Sequence, residues 1–248
     1  MLRRSRTCRL DKKRTENDYL GPLFMALAVG ASKERGAAAE KGRQRLLTHV
    51  VSQQGKDGSW HANSGGRPPV HASRDVQTSW LLLALSDSTA PGRGGDPWKS
   101  QRAAAAGWLA SHPAAGSQQA LVMRLLVRDH LKKSDGAVKP LLNALLRQQN
   151  EDGGWSQTGK PESDAFATGQ ALYALSGRDG KNVAAAVRRA QAYLVKTQRP
   201  DGSWPMTSRP AEPPPPGPAR DLRPIQYVGT AWATLGLIRS SGSRAGEK

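Results

Sequence analysis

Two aspartates stand where a carboxyl group could do chemistry. They are Asp75, in Ser73-Arg74-Asp75-Val76-Gln77-Thr78, and Asp164, in Glu162-Ser163-Asp164-Ala165-Phe166-Ala167-Thr168. Each lies about one turn ahead of a threonine, at the start of an apolar helical stretch. A helix N-terminus offers unpaired backbone N–H groups and the positive end of the helix dipole, so a carboxylate is stabilised there. Each Asp therefore has two readings, a helix cap or a carboxyl that faces a ligand and moves a proton. Asp75 and Asp164 are the candidate catalytic residues. Other chemistry lacks its residues. Cys8 is the single cysteine, so no intrachain disulfide forms, and no Cys/His cluster has zinc spacing. No metal site and no cofactor is expected.

The elements that must position these residues are punctuated by one seven-residue pattern. It occurs as Gln54-x-x-x-Gly58-x-Trp60 (QGKDGSW), Gln149-x-x-x-Gly153-x-Trp155 (QNEDGGW) and Gln198-x-x-x-Gly202-x-Trp204 (QRPDGSW). The starts lie 95 and 49 residues apart, from 54 to 149 and from 149 to 198. The near two-to-one ratio predicts a decayed copy in the longer gap. His112-x-x-x-Gly116-x-Gln118 (HPAAGSQ) keeps the Gly and has lost the Gln and the Trp. A period of this size predicts stacked helical units. Within each copy the Asp-Gly pair can reverse the chain, with Gly free to take positive φ. The Gln amide can bond free carbonyls at the helix end, and the Trp can shield that bond from water.

Two kinds of helix alternate around these turns. The first is amphipathic and runs into each copy, at about 36–54, 99–111, 137–149 and 182–198. Val138, Leu141, Leu142, Leu145, Leu146 and Gln149 show its three-and-four spacing. The second is apolar nearly all round and follows each QxxxGxW copy, at 76–85, 166–175 and 227–238, and 20–31 and 118–131 complete the set. Helices of that kind are covered on two sides. Thr78, Thr168 and Thr230 recur early in three of them. The apolar helices form an inner set, the amphipathic ones an outer set.

The chain divides into a basic segment at 1–18, a helical repeat domain at 19–240 and a polar tail at 241–248. The segment 206–222 (MTSRPAEPPPPGPARDL) is Pro-rich and cannot be helix; it is a spacer or a flap over the inner helices. Aromatics are 5% of the chain, yet seven residues are Trp, so apolar burial rests mainly on Leu, Ala and Val. The net charge is +17. Its densest run, Arg3–Arg14, reads as a solvated tail, with contact to an anionic membrane surface or nucleic acid as alternatives. Nucleic acid is disfavoured, because no aromatic interleaves with the basic run and no recognition motif accompanies it. The stretch 20–31 is a helix or, less in keeping with Asp11, Glu16 and Asp18 before it, part of a secretory leader. No apolar run reaches the ~18–20 residues of a membrane-spanning helix. A cytoplasmic or peripheral membrane location follows in the first case, a secreted or periplasmic one in the second.

The Q-x-x-x-G-x-W turns between alternating inner and outer helices resemble the prenyltransferase/squalene-oxidase repeat group, over about residues 20–239. That group includes squalene–hopene cyclases, oxidosqualene cyclases and the β-subunits of protein prenyltransferases. VQTSWLLLAL and YVGTAWATLGL look like inner helices of bacterial squalene cyclase C-terminal domains. The resemblance implies an all-α fold, an α/α-toroid whose inner helices enclose a cavity. Nine helices make four and a half hairpins against about six in a closed toroid, which predicts an incomplete, toroid-like arc. Such an arc stays open, completes itself by self-association, or forms part of a longer architecture.

Within the group, cyclases that begin by protonation carry Asp-x-Asp-Asp-Thr at an inner-helix start, where neighbouring carboxyls make one of them a strong acid. Neither candidate segment has the pair. Arg74 puts a positive neighbour beside Asp75, and Glu162 is the possible partner of Asp164. The group's zinc, aspartate-rich magnesium and thioester chemistries also lack their residues. The aromatic residues that could line a cavity for an apolar or cationic ligand are Trp80, Phe166, Tyr173, Tyr227 and Trp232, each also a candidate for plain core packing. Three functions remain open. The leading one is a cyclase-like protein without the standard acid, binding an isoprenoid or other apolar or polymeric ligand on its inner face. The others are an active terpenoid cyclase using Asp164 or Asp75, and a scaffold that binds protein or a membrane surface.

Overall fold

The computed structural model describes residues 20–32, 36–61, 73–86, 96–114, 116–132, 135–157, 162–206 and 222–242. The basic segment at 1–18 with Cys8, nearly all of the Pro-rich segment and the end of the polar tail lie outside them. Among the described residues every regular element is a helix. They are α1 (Leu20–Ala31), α2 (Ala37–Ser52), α3 (Arg74–Ser86), α4 (Lys99–Ser111), α5 (Gln118–His130), α6 (Asp135–Arg147), α7 (Ala165–Leu175), α8 (Lys181–Thr197) and α9 (Arg223–Gly242). The fold is all-α.

The odd-numbered helices touch one another in chain order, α1 to α3, α3 to α5, α5 to α7 and α7 to α9. Each even helix up to α8 packs on the odd helix before it. Sequence pattern explains the two layers. The odd helices α3, α5 and α7 are covered on both sides, and every residue of α7 except Tyr173 is buried. An even helix buries a single stripe, as Val183, Ala186, Ala190 and Leu194 do on α8.

The last odd helix departs from the expectation of two-sided cover. Helix α9 buries only Gly229, Ala233, Gly236 and Ser240, and leaves Tyr227, Leu235 and Ile238 exposed. Its small-residue stripe lets α7 approach until the backbones meet. A Cβ on Gly169 would stand 2.4 Å from the carbonyl carbon of Trp232, and one on Gly236 would stand 2.7 Å from the carbonyl oxygen of Gly169. Helix α9 also runs past its apolar core at 227–238 at both ends, from Arg223 to Gly242, and Ser240 in its last turn accepts from Gln191 Nε2 of α8 at 2.8 Å.

The three QxxxGxW turns make the same bonds. In each, the Asp carboxylate accepts from the N–H two residues on, at 3.0 Å from Ser59, 2.9 Å from Gly154 and 2.9 Å from Ser203. Gly58, Gly153 and Gly202 have φ of 87°, 90° and 82°. Trp60, Trp155 and Trp204 are buried and donate their indole N–H to the carbonyls of Val50, Leu145 and Leu194, at 2.9, 2.9 and 2.8 Å. Those carbonyls close the preceding even helix, so the Trp rather than the Gln satisfies the helix end. The recurrent threonines hold the backbone of the same Trp residues. Thr78, Thr168 and Thr230 accept from the N–H groups of Trp60, Trp155 and Trp204 at 3.0, 2.9 and 3.3 Å.

The Gln amide has a different task from the one its position suggests. Gln54 and Gln149 donate to the carbonyls of Gly58 and Gly153, both at 2.8 Å. They also reach across to the next even helix, Gln54 to the carbonyl of Gln101 at 3.0 Å and Gln149 to that of Ala186 at 2.9 Å. The glycines meet those helices too, since a Cβ on Gly153 would stand 2.7 Å from the carbonyl oxygen of Arg189. Gln198 follows the last even helix and, among the described residues, bonds only Gly202, at 3.0 Å.

At 112–118 a different set of side chains does this work. The His112 ring nitrogen lies 2.9 Å from the carbonyl of Trp108, and Arg124 of α5 donates to the carbonyls of Leu109 and His112. Gln118 turns to the neighbouring odd helix and donates to the carbonyl of Ala167 at 2.8 Å.

Candidate functional site

Four of the five aromatic candidates come together. Trp232 of α9 is central. Its ring centroid lies 6.1 Å from Trp80 of α3, 6.5 Å from Phe166 and 5.8 Å from Tyr173, the last two of α7. Phe166 and Tyr173 both meet Trp232 edge-on, at 82° and 81°, the favoured geometry for aromatic pairs. They share a face of α7 because they are seven residues, two turns, apart. The Arg239 guanidinium carbon lies 4.2 Å over the Tyr173 ring, a cation–π contact at the edge of the group. Phe166 is buried, while Trp80, Tyr173 and Trp232 are half-buried, so the group reaches solvent on one side. Tyr227 does not belong to it. It is 72% exposed on the uncovered face of α9, beside Val228.

Asp75 is a partner in a buried ion pair. Its two carboxylate oxygens accept from Arg124 Nε at 2.7 Å and Nη2 at 3.0 Å. Asp75 and Arg124 are 4% and 3% exposed, so the pair is shut away from water. Both carboxylate oxygens thus accept from one guanidinium, a bidentate, charge-assisted pair. Arg74, the neighbour expected to act on Asp75, turns instead to Asp57 at 3.1 Å.

Asp164 is the N-cap of α7. Its Oδ1 accepts from the N–H of Ala167 at 2.8 Å and its Oδ2 from that of Gln157 at 3.3 Å. An isolated antiparallel bridge to Trp155 fixes its backbone. Burial pushes the carboxyl above its usual value of 3.8, and the N–H groups of Ala167, Gln157 and Phe166 partly offset this. Glu162, the possible second carboxyl, is exposed. A residue absent from the sequence reasoning stands nearby. Tyr193 of α8 donates its hydroxyl to the Ser163 carbonyl at 2.7 Å, and burial with the negative neighbours Asp152 and Asp164 raises its pKa.

The Asp164 shift has a measurable consequence. An acid whose folded pKa is raised binds more protons folded than unfolded, so its contribution to stability falls as pH rises from about 4 through the folded value. Asp164→Asn keeps a capping oxygen and has no charge to bury. We expect its melting temperature relative to wild type to climb over that pH window and then level off. A difference that stays flat with pH would contradict a raised Asp164.

Among the described residues no group of three or more His, Cys, Asp or Glu is placed to hold a metal ion. None of the described helices is long and apolar enough to cross a membrane. A cleft of about 310 Å³ opens between α4 and α5, with Arg124 in its wall, and none of its lining residues belongs to the aromatic group.

No protein-family model matches the chain. Two curated relatives do, and both are drimenyl diphosphate synthases. That of Streptantibioticus cattleyicolor is 38% identical over 116 residues, which make up 46% of this chain and 20% of that protein. That of Streptomyces showdoensis is 35% identical over 107 residues, 43% of this chain and 19% of that protein. The matched stretch spans about a fifth of the length of either relative. With an all-helical fold, these similarities are in keeping with a distant relation to the terpenoid cyclases.

Proposed function

We propose that this chain is a squalene cyclase-like protein of the prenyltransferase-repeat kind that binds an isoprenoid against Trp80, Phe166, Tyr173 and Trp232. The observation that carries the reading is the convergence of three rings from α3 and α7 on Trp232 of α9. Rings set edge-on in a partly open group give an apolar chain flat and adaptable contact. The names of the two relatives point to an isoprenoid diphosphate as the ligand class. The alternation of odd and even helices supports an incomplete toroid-like arc, with its turns acting as QW motifs. No proton donor is assigned, because Asp75 is consumed by Arg124 and Asp164 by its cap.

The test is a titration with farnesyl diphosphate and with squalene, followed by tryptophan fluorescence, alongside mass spectrometry of co-purifying lipids. Saturable quenching that Trp232→Leu weakens at least tenfold is expected. Absence of both quenching and co-purified isoprenoid would overturn the reading. The same ligands, incubated and extracted, are expected to yield no cyclised product. A second reading, an active terpenoid cyclase, is favoured by the burial of Asp164. Product that disappears in Asp164→Asn would establish it.

A further inference from the structure

Gln170 is the one polar side chain on α7 whose chemistry is left over. It is 0% exposed, and neither its amide nitrogen nor its amide oxygen has a hydrogen-bond partner among the described residues. A buried carboxamide with both ends unpaired is rare in a folded protein, and in an otherwise apolar helix it would be replaced by Leu or Met without loss. Its place is informative. Phe166, Gln170 and Tyr173 follow one another at four and three residues, so they line one face of α7. Trp232 meets the two rings that flank Gln170 on that face, at 6.5 and 5.8 Å. The ring group on that face reaches solvent through Trp80, Tyr173 and Trp232, which are half-buried.

We infer that Gln170 selects the ligand, and that the isoprenoid it selects carries a hydroxyl group on its chain. This rests on the isoprenoid reading above. A carboxamide presents two N–H donors and a carbonyl acceptor. A hydroxyl is the smallest group that answers both, accepting from the amide nitrogen and donating to the amide oxygen. A hydrocarbon answers neither and leaves the amide as it stands. A phosphate would be stripped of water beside an uncharged group, which a single amide does not offset. The apolar rings hold the chain, and the amide decides which chain.

The experiment compares farnesol with β-farnesene, ligands of one chain length with and without a hydroxyl, on wild type and Gln170→Met. Wild type is expected to bind farnesol about tenfold more tightly relative to β-farnesene than the variant does, the ordinary scale for one buried hydrogen-bonding site. Gln170→Met should melt at or above the wild-type temperature, since it removes an unpaired buried amide at nearly constant volume. A farnesol-to-farnesene ratio that Gln170→Met leaves unchanged overturns the inference while the isoprenoid reading stands. So does a marked loss of stability in Gln170→Met, which would place the amide in a bond within the protein. Binding of neither ligand to wild type also overturns the inference, while the isoprenoid reading stands or falls on its own titration with farnesyl diphosphate and squalene.

Discussion

Trp155→Ala is expected to lower stability by about 3–5 kcal/mol, the range for deleting a buried large aromatic side chain. The ring is fully buried in the core that contains Leu145, Leu175, Ala186 and Leu194. Its removal opens a cavity there and leaves the Leu145 carbonyl without its indole donor. Trp155→Phe separates the two losses. It keeps most of the packing and removes only the N–H, so a cost of about 0.5–1.5 kcal/mol is expected for the one bond lost, since the Leu145 carbonyl still accepts from the Gln148 N–H at 3.1 Å. Gln149→Ala should cost about 1–3 kcal/mol, because it cuts three bonds, two of them ties from its own turn to Ala186 and Arg189 of α8. Urea titrations of the three variants give the comparison. A neutral Trp155→Ala would mean that the turn does not join successive units.

The turn was legible because its signals are local. Asp-Gly needs a positive φ, a Trp in a low-aromatic chain needs burial, and both are written within seven residues. What the Gln holds was not legible. It bonds Gln101 in one case and Ala186 in another, 47 and 37 residues away, and that choice depends on how the next even helix is set. The threonines were visible as a recurrence, but their partner, the Trp backbone N–H, is defined only once the odd helix folds back. Tyr227 was misplaced for a related reason. An all-apolar pattern looks the same on an interior helix and on the last of a layer, and α9 is covered on the α7 side and left open on the other.

The aromatic group was named residue by residue from sequence, yet its centre was not. That Trp232 reaches back to α3 follows from the close α7–α9 approach, which Gly169 and Gly236 make possible. Two polar residues in apolar helices, Arg124 in QQALVMRLLVRDH and Gln170 in AFATGQALYAL, were the overlooked signals. A charge or an amide in such a helix implies a partner or a ligand, and only the first was identified by the fold.

Arg124→Met is expected to destabilise the protein by about 3–5 kcal/mol, because it removes the guanidinium that neutralises the buried Asp75 carboxylate. Asp75→Leu should be costly for the converse reason, though less so, since Arg124 keeps the carbonyls of Leu109 and His112. The double variant Asp75→Leu/Arg124→Met removes both charges. An ion pair replaced whole by apolar groups is often neutral, so most of the single-variant loss should return. What fails to return measures the carbonyls at the end of α4, about 1–3 kcal/mol, which no other described side chain is placed to satisfy in the manner of Arg124. Urea melts of the four proteins close the cycle. Strictly additive single losses would show that Asp75 and Arg124 do not act as a pair. A large coupling energy would instead make Asp75 a structural anion that ties α3 to α5, and would leave Asp164 as the only carboxyl of the original two with any claim on chemistry.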